Sequence, residues 1–163
     1  MLFNSIDFVV FLPIVFILYW WVGGNDLRRR NLILLIASYV FYGWWDPRFL
    51  VLIAFSTLLD YFVGVRLGST SDARSRKYLL WTSLAVNLGL LGYFKYSNFF
   101  LESFVDAFSL FGQPFSIERL NIILPVGISF YTFQTLSYSI DVYRNKMQPT
   151  KDPVAFATYV SFF

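Results

Sequence analysis

Residues 49–67 read Phe-Leu-Val-Leu-Ile-Ala-Phe-Ser-Thr-Leu-Leu-Asp-Tyr-Phe-Val-Gly-Val-Arg-Leu, an apolar run with one carboxylate, Asp60, near its middle. A spanning helix needs about 17–25 predominantly apolar residues, so the run reads as a membrane crossing. An ionised carboxylate at that depth costs at least about 2.5–3.5 kcal/mol on insertion scales, and Asp60 must therefore face protein or water. Ser56, Thr57 and Gly64 stand at i−4, i−3 and i+4 from it and continue a small polar face along the helix.

Four further apolar runs flank this one, at 6–22, 32–45, 78–96 and 120–143. The second is short, but it reaches bilayer length if Asn31 and the aromatic end Tyr42, Trp44 and Trp45 lie in the interfaces, where amphipathic rings prefer to sit. The first is preceded by Asp7 rather than a basic segment and has no small-residue cleavage site after Trp21, which argues against a removed signal peptide. Residues 99–111 place Phe100, Phe104, Phe108 and Phe111 on one helical face and Glu102, Asp106 and Ser109 on the other, the pattern of a separate amphipathic helix in the outer interface, ended by Gly112-Gln113-Pro114. The expected fold class is all-α: a polytopic membrane protein of about five transmembrane helices plus one interfacial helix, occupying residues 1–163 as one unit. The closing run 153–163 is too short to span and reads as an element cut short, so the chain is expected to be the front part of a longer protein.

Composition agrees with that class. Of the 163 residues 57% are hydrophobic, 22% aromatic and only 14% charged, about half the charged share of soluble domains. The net charge of +3 would suit a nucleic-acid binder if the basic residues clustered on one surface, but they fall in alternate loops. Arg28, Arg29, Arg30, Arg66, Arg74, Arg76, Lys77, Arg144, Lys146 and Lys151 belong to one side, and Arg48, Lys95 and Arg119 to the other. The richer side is the cytoplasmic one, which puts the N-terminus outside, and no nucleic-acid partner is expected. The chain has no cysteine and no histidine, which removes thiol chemistry and the commonest general base and metal ligand together. It also lacks a Gly-rich phosphate loop and a carboxylate cluster of metal-ligand spacing, and Ser129, Ser137 and Ser139 have no base within helical reach. No catalytic and no metal residue is therefore expected here.

The polar groups inside the runs are the candidate site. Counted from the cytoplasmic ends at about 1.5 Å per residue, Asp60 and Asn87 lie about 10 and 14 Å deep on neighbouring antiparallel helices, with Ser83 on the same stripe as Asn87. Their meeting would either order the bundle or serve function directly. In the last run, Gly127, Tyr131, Gln134, Tyr138 and Asp141 fall within a narrow stripe, with Phe133, Leu136 and Ile140 opposite. Tyr131, Gln134 and Tyr138 are thus candidates to line a tunnel, and a structural polar seam is the other reading. Pro125 predicts a kink, and Asp141 an interfacial ion pair with Arg144 and Lys146.

Three stretches carry a family resemblance: Ala37-Ser-Tyr-Val-Phe-Tyr-Gly-Trp-Trp-Asp-Pro-Arg-Phe-Leu50, Leu90-Leu-Gly-Tyr-Phe-Lys-Tyr-Ser-Asn98, and Leu124-Pro-Val-Gly-Ile-Ser-Phe-Tyr-Thr-Phe-Gln134 continued by Tyr138-Ser-Ile-Asp-Val-Tyr-Arg144. With weaker similarity between them, the chain resembles the N-terminal part of bacterial membrane-bound O-acyltransferases, in the alginate O-acetyltransferase branch. The resemblance implies a ring of helices around a funnel in the inner membrane. Through it an acyl group passes from a cytoplasmic donor, acetyl-CoA or a carrier-bound acyl group, to a polysaccharide hydroxyl or a periplasmic acetyltransferase partner outside. It also implies a catalytic intramembrane histidine in the later half of the protein, for which this chain has no counterpart, so the chain is expected to be inactive without its C-terminal remainder. Two other classes fit the residues alone. One is a transporter or channel subunit using Asp60, the other a non-catalytic membrane scaffold; a loss of ion flux in Asp60→Asn would favour the first.

Overall fold

The computed structural model describes residues 5–110 and 127–162, and among them every regular element is α-helical. In chain order these are α1 (Ile6–Trp21), α2 (Leu27–Trp45), α3 (Pro47–Ser69), α4 (Ala73–Leu110), α5 (Ile128–Tyr143) and α6 (Pro153–Ser161). The expected kink at Pro125, the breaker Gly112-Gln113-Pro114 and the start of the fifth run lie outside the described residues, as do Arg119 and Phe111.

Short polar side chains set the helix starts. Ser5, Asp26, Asp46 and Asp152 each sit at an N-cap and accept a backbone N–H from the first turn, the interaction that makes these residue types good caps. Asp26 explains why α2 is longer than its apolar run: the helix begins before the arginines and carries them on its first turns, where the Arg30 guanidinium lies over the Tyr19 and Trp20 rings of α1. Asp46 closes α2 and opens α3 at a single extended residue, with Pro47 at the first helical position, where a missing N–H costs nothing. Asp72 shortens the next connection in the same way. Its carboxylate accepts from the Ser75 amide at 2.8 Å and the Ser75 hydroxyl at 2.6 Å, so only three residues, Thr70, Ser71 and Asp72, connect α3 to α4.

One expected element is corrected. The segment 99–110 is not a separate interfacial helix but the continuation of α4, which runs unbroken for 38 residues. Neither proline nor glycine stands between Gly92 and Gly112 to stop it, and Ser97-Asn98 is too weak an interruption. At 1.5 Å per residue α4 is about 57 Å long, well beyond the roughly 30 Å of a bilayer's hydrocarbon core.

The core lies between α3, α5 and α6, where Ile53, Leu67, Val142, Phe156 and Val160 are almost fully enclosed. Helix α6 folds back against α2, and its Thr158 hydroxyl donates to the Asn31 carbonyl at 2.9 Å. Helix α4 packs along α5 and α3, and among the described residues α1 packs only against α2. By length and composition, α3 is the one described helix long and apolar enough to cross a membrane; α1 is apolar but shorter. The two faces of α3 are unlike. Ser56, Thr57, Asp60 and Gly64 point inward and are buried, whereas Val51, Phe55, Leu58 and Phe62 point outward and are exposed.

Candidate functional site

The inward face of α3 meets α4 and α5 at Asp60, whose side chain is fully enclosed. Ser83 of α4 donates its hydroxyl to Asp60 Oδ1 at 2.5 Å, and Asn87, one turn further, donates Nδ2 to Oδ2 at 2.7 Å. Ser139 of α5 reaches Oδ1 at 3.3 Å, and Ser56 of α3 donates to Asn87 Oδ1 at 2.6 Å. Each proton can be followed. Ser56 donates to Asn87, Asn87 donates to Asp60, and two serine hydroxyls converge on the other carboxylate oxygen. A carboxylate receiving several such bonds has its charge dispersed over neutral donors, so it needs no cation beside it, and among the described residues none is paired with it. Such a node ties three helices together.

Next to the node is a small pocket bordered by Leu52, Ser56, Asn87, Leu90, Ile128, Tyr131 and Thr132, with room for about one water molecule. Tyr131 thus reaches the edge of the polar node from α5. Tyr138 is held otherwise. Its ring lies 4.6 Å, centroid to centroid, from that of Phe156, and its hydroxyl accepts the Thr150 N–H at 3.1 Å. A Cβ at Gly64 would come within 2.6 Å of that ring, so α3 and Tyr138 approach this closely only because position 64 has no side chain. Gln134 donates Nε2 to the Tyr159 carbonyl at 2.6 Å, while its Oε1 is buried with no partner among the described residues.

The buried face of α5 is rotated from the expected stripe by roughly 100°, about one residue's turn. It is centred on Thr135, keeps Tyr131 and Tyr138 of the expected stripe at its edge, and adds Thr132, Ser139 and Leu136, the last of which the stripe placed on the opposite side. The row Thr132, Thr135, Ser139 has helical spacing and was the available signal, but large polar residues outweighed small hydroxyls in the reading. The expected pair of Asp141 with Arg144 or Lys146 is absent among the described residues, where Arg29–Asp26 is the ion pair found. The helix ends at Tyr143, and Asn145 takes a left-handed φ of 57°, which turns the chain away and leaves the Asp141 carbonyl to accept the Lys146 N–H at 2.9 Å. At the other end of α5, Gly127 supplies the left-handed entry at φ 79°.

A second junction, unmarked by any motif, lies at the end where α3 and α5 finish and α4 begins. Arg76 sends its guanidinium to the Leu67 and Thr70 carbonyls at the end of α3 and to the Val142 and Tyr143 carbonyls at the end of α5, with Asn145 Oδ1 at 2.9 Å. The terminal carbonyls of a helix have no partner within it and carry its negative dipole end, so one arginine serves two helix ends at once.

No family model and no solved structure matches the chain. Among curated proteins, the "Probable alginate O-acetylase AlgI" of Pseudomonas aeruginosa is 46% identical over the whole chain, and the protein of the same name from Azotobacter vinelandii 43%. The "Peptidoglycan O-acetyltransferase" of Helicobacter pylori is 36% identical over 91% of the chain. The chain spans about a third of the length of these relatives, 31%, 32% and 28% in turn. Identity at this level, extending from end to end through the helices that carry the Asp60 node and the Arg76 junction, makes the chain a member of the alginate O-acetylase family of acyltransferases.

Proposed function

We propose that this chain forms the front helices of a membrane O-acyltransferase that carries acetyl or other acyl groups across the bacterial inner membrane to an extracytoplasmic polysaccharide such as alginate. The observation that carries the reading is the identity of 36–46% with proteins named for O-acetylation. A physical feature supports the membrane setting. A fold that buries Asp60, Asn87 and Ser83 while exposing Phe55, Phe62, Phe130 and Phe133 is arranged for an apolar solvent. In this reading the helices cross several times with the N-terminus outside and the arginine-rich ends in the cytoplasm, where the acyl donor is met.

The chain's own part in the reaction is structural. The Asp60 node fixes the spacing of α3, α4 and α5, and Tyr131, which borders the small pocket beside it, is read as part of a tunnel wall. Tyr138 and Gln134 are committed to backbone partners and hold α6 in place. In this reading the base that activates the acceptor hydroxyl is a histidine from residues beyond this chain, which itself has none. The test is genetic. Deleting the gene in the encoding bacterium is expected to strip O-acetyl groups from its extracellular or wall polysaccharide, and the complete gene restores them. Unchanged acetylation in the deletion strain would refute the proposal.

A further inference from the structure

The first turns of α4 hold two kinds of basic residue. Arg76 points inward and is consumed by helix-end carbonyls. Arg74 and Lys77 point outward, and among the described residues neither side chain has an ion pair or a hydrogen-bond acceptor. With Tyr78 and Trp81 they line one open pocket. The two rings are largely exposed, at 70% and 59%, which is an unfavourable arrangement in water for side chains of that size. All four lie within one face of the helix, and the exposed residues Ala85 and Leu88 continue that face.

We infer that this face, Arg74, Lys77, Tyr78 and Trp81, is a docking site for one anionic phospholipid of the cytoplasmic leaflet. The order along the helix matches the order along such a lipid. Two unpaired cations suit the phosphate. The phenol and indole follow within about 10 Å, at the depth where rings of this kind donate to glycerol and ester oxygens, and the apolar positions reach about 21 Å from Arg74, alongside the acyl chain. A soluble polyanion would use the cations but not the apolar continuation, which favours the lipid. The inference rests on the proposed membrane orientation, with the turn between α3 and α4 in the cytoplasm.

The test uses the complete gene product, purified and titrated with phosphatidylglycerol or phosphatidylcholine, with retained lipid counted by native mass spectrometry. Phosphatidylglycerol is expected to be preferred, and R74Q/K77Q to weaken its retention roughly five-fold per charge removed. The R74K/K77R variant keeps the charges and is expected to keep the preference. Equal retention of the two lipids, or a preference unchanged in R74Q/K77Q, would overturn the inference, as would displacement of the lipid by millimolar inorganic phosphate. Orientation is read separately by labelling Ser71→Cys over the parent protein with an impermeant maleimide. Labelling from the outside overturns the membrane orientation itself, whereas protection from outside together with no lipid preference overturns the lipid site alone.

Discussion

Asp60 and Arg76 join the same three helices by opposite means. Asp60 is a fully buried carboxyl group held by side-chain donors, Ser83, Asn87 and Ser139, in the middle of the bundle. Arg76 is a half-buried positive charge held by backbone carbonyls where α3 and α5 end. Neither has an opposite charge beside it among the described residues. Bringing two ions out of water together often costs more than their attraction returns, and neutral dipoles supplied by helices that must pack anyway avoid half of that desolvation. The difference lies in what each junction needs. The first requires small polar residues at chosen positions on three helices, and the second requires only an arginine long enough to reach two helix ends.

The largest expected effect is at the first junction. Asp60→Ala leaves three buried donors without an acceptor and is expected to cost about 3 kcal/mol, read as a lowered unfolding temperature in detergent. Arg76→Gln keeps one or two of the carbonyl contacts and should cost about 2 kcal/mol in the same measurement. If the two changes were equal, or their order reversed, the buried node would not be the principal tie between α3, α4 and α5. The smallest effect sharpens the contrast through pH. The Ser75 hydroxyl and amide bonds hold the Asp72 carboxyl below the usual carboxylate range. A carboxyl acidified by folding lends its stabilisation above the unfolded value and loses it as pH falls through the lowered one. Acid should therefore loosen the first turn of α4, where Arg76 sits, as pH falls through that lowered value. The chemical shift of the Ser75 amide across the acid range would show this, and a flat titration would contradict it.

The same contrast explains what was legible in the sequence. Asp60 and Asn87 were readable as partners because both are polar residues stranded in apolar runs, and depth along antiparallel helices brings them level. The hydroxyls of α5 were readable in principle from the spacing of Thr132, Thr135 and Ser139, but a stripe drawn through Tyr131, Gln134 and Tyr138 favoured bulk over placement and set the face off by about one residue's turn. Arg76 was illegible, because its acceptors are carbonyls that any residue carries, and which helix ends come together is decided by packing. The unbroken α4 was missed for a related reason: an amphipathic pattern changes which face is apolar without stopping a helix, and only a breaker would have done that.

Under the proposed function, these helices form a scaffold whose polar interior positions a catalytic base supplied from beyond the chain. The most direct test of that role is acyl transfer by the 163-residue chain alone, purified in detergent, shown to be helical by circular dichroism, and offered acetyl-CoA with a polysaccharide acceptor. Transfer no faster than the protein-free background is expected, and turnover above that background would refute the proposed role.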